Sequence, residues 1–339
     1  MLALAAVAYP ALLACLLLLL EWKAESFWFL TVLLFAPPQI FVLPALGLAV
    51  PCVLFRQWRL CIPLGTTFLL VLLYMHPRLH GAPSHDRDPS ELTLITHNIG
   101  QGNRQQFAGF LESEKPDIIL LQDARGRSAE FQRRFPDFYV SARGQFVCLS
   151  RYLIQQGREL DSPNWHGQPV MAHYEISFHG KPIALYSVHF PTPRAQLSRF
   201  LGARTAIAMF GNEELPGGKA TLHEWNTARV ELYEAASKIF AAEPLPFLVA
   251  GDFNMPDHGE LYHNFCSTIT DTFATSGSGC GFTFPGGMGR VAGLLGPWLR
   301  IDYAFAGHGV QPIACHPESG ILSQHRAVSM RFGPEAKHQ

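Results

Sequence analysis

The chain has 339 residues, of which 48% are hydrophobic and only 16% charged, and its formal net charge is −1. Average soluble chains carry about 25% charged residues, so part of this one lies in a membrane or folds round an unusually apolar core. The near-neutral balance excludes the overall basic excess of a dedicated nucleic-acid binder and leaves room only for a local basic patch.

The apolar excess is at the front. "MLALAAVAYPALLACLLLLL" (1–20) carries no charge, and "FWFLTVLLFAPPQIFVLPALGLAVPCVLF" (27–55) and "LCIPLGTTFLLVLLYMH" (60–76) follow. A spanning helix needs roughly 17–25 mostly apolar residues. The first and third runs fit that length. The second is broken at Pro37-Pro38 and reads as a short interfacial or re-entrant piece (27–36) before a span at 39–55. The expectation is a membrane anchor over 1–76 with about three spans, two or four being the alternatives. A cleaved leader would start with basic residues, and the first twenty positions hold no Lys or Arg. Arg56 and Arg59 mark the cytoplasmic loop, which puts the amino terminus inside and everything after residue 77 outside. The spans carry almost no charge, which argues against a transporter.

Residues 77–91 read as a linker, with "GAPSHDRDPS" as its polar stretch. A single domain over 92–333 and a tail at 334–339 complete the chain. Its elements alternate. "LTLITHNI" (92–99) is a short strand, "QQFAGFLESEK" a helix with Phe107, Phe110 and Leu111 at helical spacing, and "PDIILLQD" (116–123) a strand buried on both faces. "GQFVCLS", "MAHYEISFHG" and "KPIALYSVHF" are strands, the last two joined by a turn at His179-Gly180. The segment 194–224 reads as irregular, "ARVELYEAASKIFAAE" (228–243) as an amphipathic helix, and "PFLVAGDFN", "RIDYAFAG" and "RAVSMRF" as strands. Four of the seven cysteines (Cys148, Cys266, Cys280, Cys315) fall in this domain without zinc-ligand spacing. A Cys266–Cys280 disulfide and buried free thiols are equally open.

Polar residues gather where these strands end: Asn98, then Gln122 and Asp123, His189, Asp252 and Asn254 after "LVAG", Asp302 in "RIDY", and His325 before the last strand. Strand ends are where a rigid sheet presents functional groups. The set suits phosphoester hydrolysis, which needs a divalent cation, a positioned water and groups for the non-bridging oxygens. Asn98 and Asp123 offer hard oxygen ligands. Asp252 can orient or deprotonate water, with Asn254 fixing it or donating to phosphate. His325, oriented by Asp302, can stay cationic against developing negative charge, and His189 can donate to a phosphate oxygen or the leaving group. A lone Asn or His at a strand end is more often a cap or turn residue; the "GDFN" cluster after an apolar strand is what lifts the set above that reading.

The ordered motifs "THNIG", "PDIILLQD", "FVCLSR", "YSVHFP", "LVAGDFN", "GFTFP", "RIDYAF" and "SQHRAVS" resemble the endonuclease/exonuclease/phosphatase superfamily from about 92 to 332. The front followed by this domain is similar to its membrane-anchored bacterial members. The resemblance implies an α+β fold: a four-layer α/β/β/α sandwich of two mixed sheets face to face, here preceded by the transmembrane segment. It implies Mg²⁺ or Mn²⁺ at Asn98 and Asp123, with Gln324 at the position of a further metal-side residue. It implies catalytic roles for His189, Asp252, Asn254, Asp302 and His325, and a substrate-side role for Thr283. Asp252 and His325 both stand as the base.

Two departures matter. Asp123 stands where the family has Glu, one methylene longer. Gln324 stands where the family has Asp, which keeps an oxygen but loses a charge. The expected function is a membrane-anchored, metal-dependent phosphoester hydrolase acting outside the cytoplasm on a lipid or envelope phosphoester, or on nucleic acid. The alternative is a weakened member that binds phosphorylated ligands, with Gln324 as the reason.

Overall fold

The computed structural model describes residues 1–81, 88–100, 107–201, 221–286, 294–320 and 324–335. The apolar front is helical: α1 (Leu2–Lys23), α2 (Trp28–Leu34), α3 (Leu43–Leu54) and α4 (Cys61–Tyr74). Among the described residues, α1 alone has the length and apolarity of a full span. The run 28–54 bends by 103° at its break. Pro37 is extended there (φ −62°, ψ 123°) and Pro38 opens a 3₁₀ turn, because neither proline can donate to a continuing helix. At 1.5 Å per residue, 12–17 helical residues reach about 18–25 Å, short of a roughly 30 Å hydrocarbon core. The structure therefore gives one full-length apolar helix where three spans are expected, with a bent pair and one shorter helix beside it. Leu13, Leu17 and Leu20 of α1 bury against Phe41, Val71 and Tyr74. The outward faces leave Leu4, Leu12, Leu18, Leu46, Val50, Ile62, Leu69 and Leu73 exposed.

The remainder is built on two six-stranded sheets. The first runs, in spatial order, β11 (Val310–Pro317), β12 (Val328–Pro334), β1 (Leu92–Asn98), β2 (Ile118–Gln122), β4 (Phe146–Ser150) and β3 (Tyr139–Arg143). The second runs β9 (Thr270–Asp271), β10 (Asp302–Ala306), β8 (Phe247–Asp252), β7 (Lys181–His189), β6 (Met171–Phe178) and β5 (Ile154–Glu159). The pairs β1–β2 and β7–β8 are parallel and the rest antiparallel, so both sheets are mixed. The predicted turn between β6 and β7 is made by His179 (φ 48°) and Gly180 (φ 78°), the left-handed pair of a tight hairpin.

Period-2 alternation sorts each strand into two faces. Leu92, Leu94, Ile118 and Leu120 meet Leu185, Leu248, Ala250 and Ala304 between the sheets. The alternate residues of the first sheet (Ile95, Ile119, Val147) pack under Leu111 of α5 (Phe107–Glu114) and Phe131 of α6 (Ser128–Arg134). Val188, Val249 and Phe305 do the same under α8 (Leu222–Ala241) and α9 (Glu260–Cys266), meeting Leu232, Tyr233 and Phe265. Each such side chain contributes about 1.5–3 kcal/mol by leaving water. Helix, sheet, sheet and helix are the four expected layers.

Several local expectations shift. Residues Arg194–Leu201 form a helix, α7, where an irregular segment is expected; 202–220 lie outside the described residues. Helix α8 starts six residues before the predicted 228, because Thr221 and Glu224 cap each other's backbone N–H. In the linker, Arg78–Leu79 pairs with Ser278–Gly279. All seven cysteines are free thiols, so Cys266 and Cys280 are not bridged.

The helical front is also docked on the sandwich. Ala24, Leu34 and Phe35 share a cluster with Leu197, Trp225, Phe284, Trp298, Leu299 and Ile301. Trp298 Nε1 donates to the Phe35 carbonyl (3.1 Å), and Arg229 pairs with Glu25 (2.9 Å), both well buried.

Candidate active site

Strand register assembles the site. His189 lies opposite Asp252, and Asp252 opposite Asp302, across β7, β8 and β10. Asn98 lies opposite Gln122 across β1 and β2. Residues two apart on a strand share a face, so Asp252 follows Ala250, Asp302 precedes Ala304, and His189 and Asn98 continue the face of Leu185 and Leu94. The apolar interior between the sheets thus ends in a polar row at the carboxyl ends of the parallel strands. One step below lies a buried supporting layer, in which Gln122 Nε2 donates to Ser187 Oγ (3.0 Å) and Thr96 Oγ1 (3.1 Å).

Gly251 makes the row possible. Its φ is 149°, and a Cβ there would stand 1.9 Å from the Val188 carbonyl oxygen, so no other residue fits before Asp252. Asp123 (φ 54°) and Asn254 (φ 48°) sit in the left-handed region, which Asp and Asn tolerate best after glycine.

The central line is Asp302, His325, Asp252, Asn98. His325 Nδ1 lies 3.1 and 3.0 Å from the two oxygens of Asp302. Its Nε2 lies 3.7 Å from Asp252 Oδ2, and Asn98 Nδ2 donates to that same oxygen at 3.0 Å. All four are buried. Burial opposes charge on His325, yet Asp302 and then Asp252 overcome it and hold the imidazole above its ordinary value. For Asp252, burial pushes the carboxyl up and the His325 charge pulls it back; the net direction is upward. The Asn254 backbone N–H fixes Asp252 Oδ1 (2.9 Å), while its side-chain amide donates to the Phe190 carbonyl (2.8 Å). Asn254 therefore fixes Asp252 through its main chain.

His189 stands at the rim. Its Nδ1 is 2.7 Å from Gln145 Oε1 and 3.6 Å from Asp123 Oδ1, and its Nε2 is 3.8 Å from Asp252 Oδ2. The Asp123 side chain is 46% exposed, against 1% for Asp252. Thr283 is buried, and its hydroxyl accepts the N–H of Ile301 and of Asp302 (both 3.2 Å), so it steadies Asp302. The Gln324 carbonyl accepts from Gly286 N (2.6 Å), and Arg326 N donates to the Thr283 carbonyl (2.9 Å). Those two bonds tie the 281–286 turn to the loop that carries His325. The Phe284 ring lies 4.8 Å from His325.

Three neighbours escape the sequence reading. Arg194, at the start of α7, is buried with its guanidinium 5.8 Å over the Phe284 ring. Burial draws its guanidinium below the ordinary arginine value, with Asp252 and then Asp123 acting in part against that. Its only sequence signal is a basic residue five positions past His189. Gln145, which holds His189, follows a glycine turn and carries no motif. His97 is fully enclosed, 3.3 Å from the His325 carbonyl, and burial drives its imidazole down to about 4.

Asp252, Asp302 and His325 bring their ligand atoms within 4.8 Å of one another. The single imidazole between the two carboxylates can offset only one of their charges, and the Asp252 carboxyl is pushed upward. The exposed Asp123 carboxylate and the Asn98 amide oxygen, which accepts from Gly100 N (3.0 Å), are further oxygen groups at these strand ends. One carboxylate, one amide oxygen and open solvent fit a hard divalent ion that keeps several waters.

No curated protein matches the sequence. Among solved structures, a humanized D. rerio TDP2 is similar at TM-score 0.52 and 16% identity, over 72% of this chain and 99% of that one. The human nocturnin catalytic domain with bound sulfate is similar at 0.50 and 11%, over 72% and 94%. A functionally unknown conserved protein of Enterococcus faecalis V583 stands at 0.50 and 14%, over 72% and 100%. At such identities the likeness is one of fold. The sequence itself matches the model of the Endonuclease/Exonuclease/phosphatase family over residues 95–325, from inside β1 to His325. The matched stretch begins and ends on the strands and loop that carry the polar row, and the chain belongs to that family, whose members are metal-dependent phosphoesterases.

Proposed function

We propose that this chain is a membrane-anchored phosphodiesterase that uses Mg²⁺ or Mn²⁺ and acts outside the cytoplasm, with residues 1–76 as anchor, 77–91 as linker, 92–333 as catalytic domain and 334–339 as tail. The observation that carries the reaction class is the buried line Asp302–His325–Asp252–Asn98 at the mouth of the sandwich.

The roles follow from that line. Asp252, held by Asn98 and the Asn254 N–H, orients a water and takes its proton as the water attacks phosphorus. His325, kept cationic by Asp302, faces the charge that builds on the phosphoryl oxygens. Arg194 and His189 hold further phosphate oxygens from either side. Asp123 and Asn98, with Gln324 as a further donor, would hold the divalent ion, which supplies Lewis-acid charge when bound. Phe284 and the apolar wall of Leu299 and Ile301 keep bulk water from the buried side.

A lipid or envelope phosphoester is the favoured substrate. The exposed leucines of the front support a bilayer beside the sandwich, and three of the 26 basic but only two of the 27 acidic residues precede residue 77, leaving the rest slightly acidic. D. rerio TDP2 has been solved with a single-strand DNA product, which makes nucleic acid the second reading. Rates on DNA would fall steeply with salt.

The test uses the full chain in detergent with Mg²⁺ or Mn²⁺, assayed on bis-nitrophenyl phosphate, a lipid pyrophosphate and plasmid DNA. Hydrolysis of at least one, abolished by chelation and by His325→Ala, is expected. No hydrolysis of any of them, or equal rates in His325→Ala, overturns the proposal.

A further inference from the structure

A second cluster of ligating side chains lies where the helical front meets the sandwich. Glu21 lies in the last turn of α1, His76 follows α4, and His258 and His263 come from the segment just beyond Asn254. Glu21 Oε2 is 2.8 Å from His258 Nδ1 and 3.8 Å from His76 Nε2. The three ligand atoms lie within 4.8 Å of one another. Glu21 Oε1 is separately taken by His263 Nε2 at 2.7 Å.

His258 Nδ1 is within ordinary hydrogen-bonding distance of Glu21 Oε2, and His76 is what sets the cluster apart from a simple histidine–carboxylate pair. At 3.8 Å, His76 Nε2 faces the carboxylate oxygen without bonding it. Tetrahedral zinc has bonds of about 2.0–2.1 Å to nitrogen and oxygen, which sets neighbouring ligand atoms about 3.3 Å apart. The observed 2.8 and 3.8 Å bracket that figure.

The surroundings hold the ligands in place. Tyr74 stacks on the His258 ring (4.0 Å) and Trp22 on His263 (4.2 Å). The far nitrogen of His258 faces Asp257 Oδ1 at 3.9 Å, and Asp257 is in turn bonded to buried Arg300. A carboxylate beyond a ligating imidazole and a donor on the spare carboxylate oxygen are the outer partners that orient metal ligands. His258 is nearly enclosed, while the His76 side chain is 28% exposed and leaves an open side for a water.

We propose that Glu21, His76 and His258 form a second divalent-metal site of the zinc class, which fastens the helical front to the loop beyond Asn254. Two imidazoles and one carboxylate select Zn²⁺ over Mg²⁺, which prefers oxygen. The site is separate from the hard-oxygen donors Asp123 and Asn98 and stands whatever the substrate.

The test is a zinc titration of the chelator-stripped full chain in detergent, in millimolar Mg²⁺, followed by calorimetry and by the visible spectrum with Co²⁺ in place of Zn²⁺. One zinc equivalent, a tetrahedral Co²⁺ spectrum and a zinc-dependent rise in unfolding temperature are expected. His76→Gln should lose all three, since its partly exposed side chain can change without disturbing the core. Asp123→Asn should keep them. Absence of zinc retention overturns the proposal. So does zinc that persists in both His76→Gln and Glu21→Gln, or that is lost in Asp123→Asn.

Discussion

Replacing Asp302 by Asn tests the Asp302–His325–Asp252 line at its buried end. The two side chains keep their shape, and Asn still offers an oxygen to His325 Nδ1. What goes is the charge that holds the imidazole above its ordinary value against burial. A hydrogen bond to a charged group is worth about 1.5–3 kcal/mol, which converts to roughly 10- to 150-fold in rate. We expect kcat on bis-nitrophenyl phosphate to fall about 100-fold with KM little changed. The alkaline limb of the pH–rate profile should move to lower pH, because burial still depresses His325 and one raising charge is gone. Stability follows the same sign. A raised histidine contributes fully below its ordinary value near 6.5 and loses that contribution as pH rises through the raised folded value. The native chain should therefore outlast the variant most below about pH 6.5, and the two should converge on the alkaline side. A kcat within about threefold of native, with an unmoved alkaline limb, would refute the cationic role of His325.

Other substitutions probe the remaining parts. Arg194→Ala should cut kcat/KM by about 10- to 100-fold through the loss of a buried cation for phosphate; an unchanged value removes Arg194 from the site. Gln324→Asp puts a carboxylate at the position where the family has Asp and should lower the Mg²⁺ concentration for half-maximal rate severalfold, as read from a metal titration of activity; no gain means that Gln324 does not weaken the metal. Glu25→Ala leaves Arg229 buried without its carboxylate, which should cost about 3–5 kcal/mol in denaturant unfolding of the full chain. A loss below about 1 kcal/mol would mean that the docking of the front adds little to the fold.

Much of the sandwich was legible in the sequence, because its strands are short apolar runs of period 2 bounded by turn residues. "PDIILLQD" is buried on both faces and reads so. The His179-Gly180 turn was legible because only a few residues accept its backbone angles. The "GDFN" cluster was legible for a similar reason: Gly251 alone avoids the Val188 carbonyl. Helix α8 was misplaced at its start, since Thr221 and Glu224 act through a reciprocal cap that apolar periodicity does not register. Helix α7 was missed because its pattern is short and polar.

The residue types of the site, their order and their place at strand ends were set by sequence alone, since strand alternation fixes which face each one shares. Their convergence was not. It depends on the register that sets His189, Asp252 and Asp302 in one row, and on a loop that returns His325 beside them from another sheet. Arg194 and Gln145 join only because α7 and a glycine turn fold back over the mouth. The same holds for the front: composition marks its apolarity, but the prolines that shorten its helices act through helix geometry, and the docking of Glu21 and Glu25 on the sandwich depends on contacts more than two hundred residues apart.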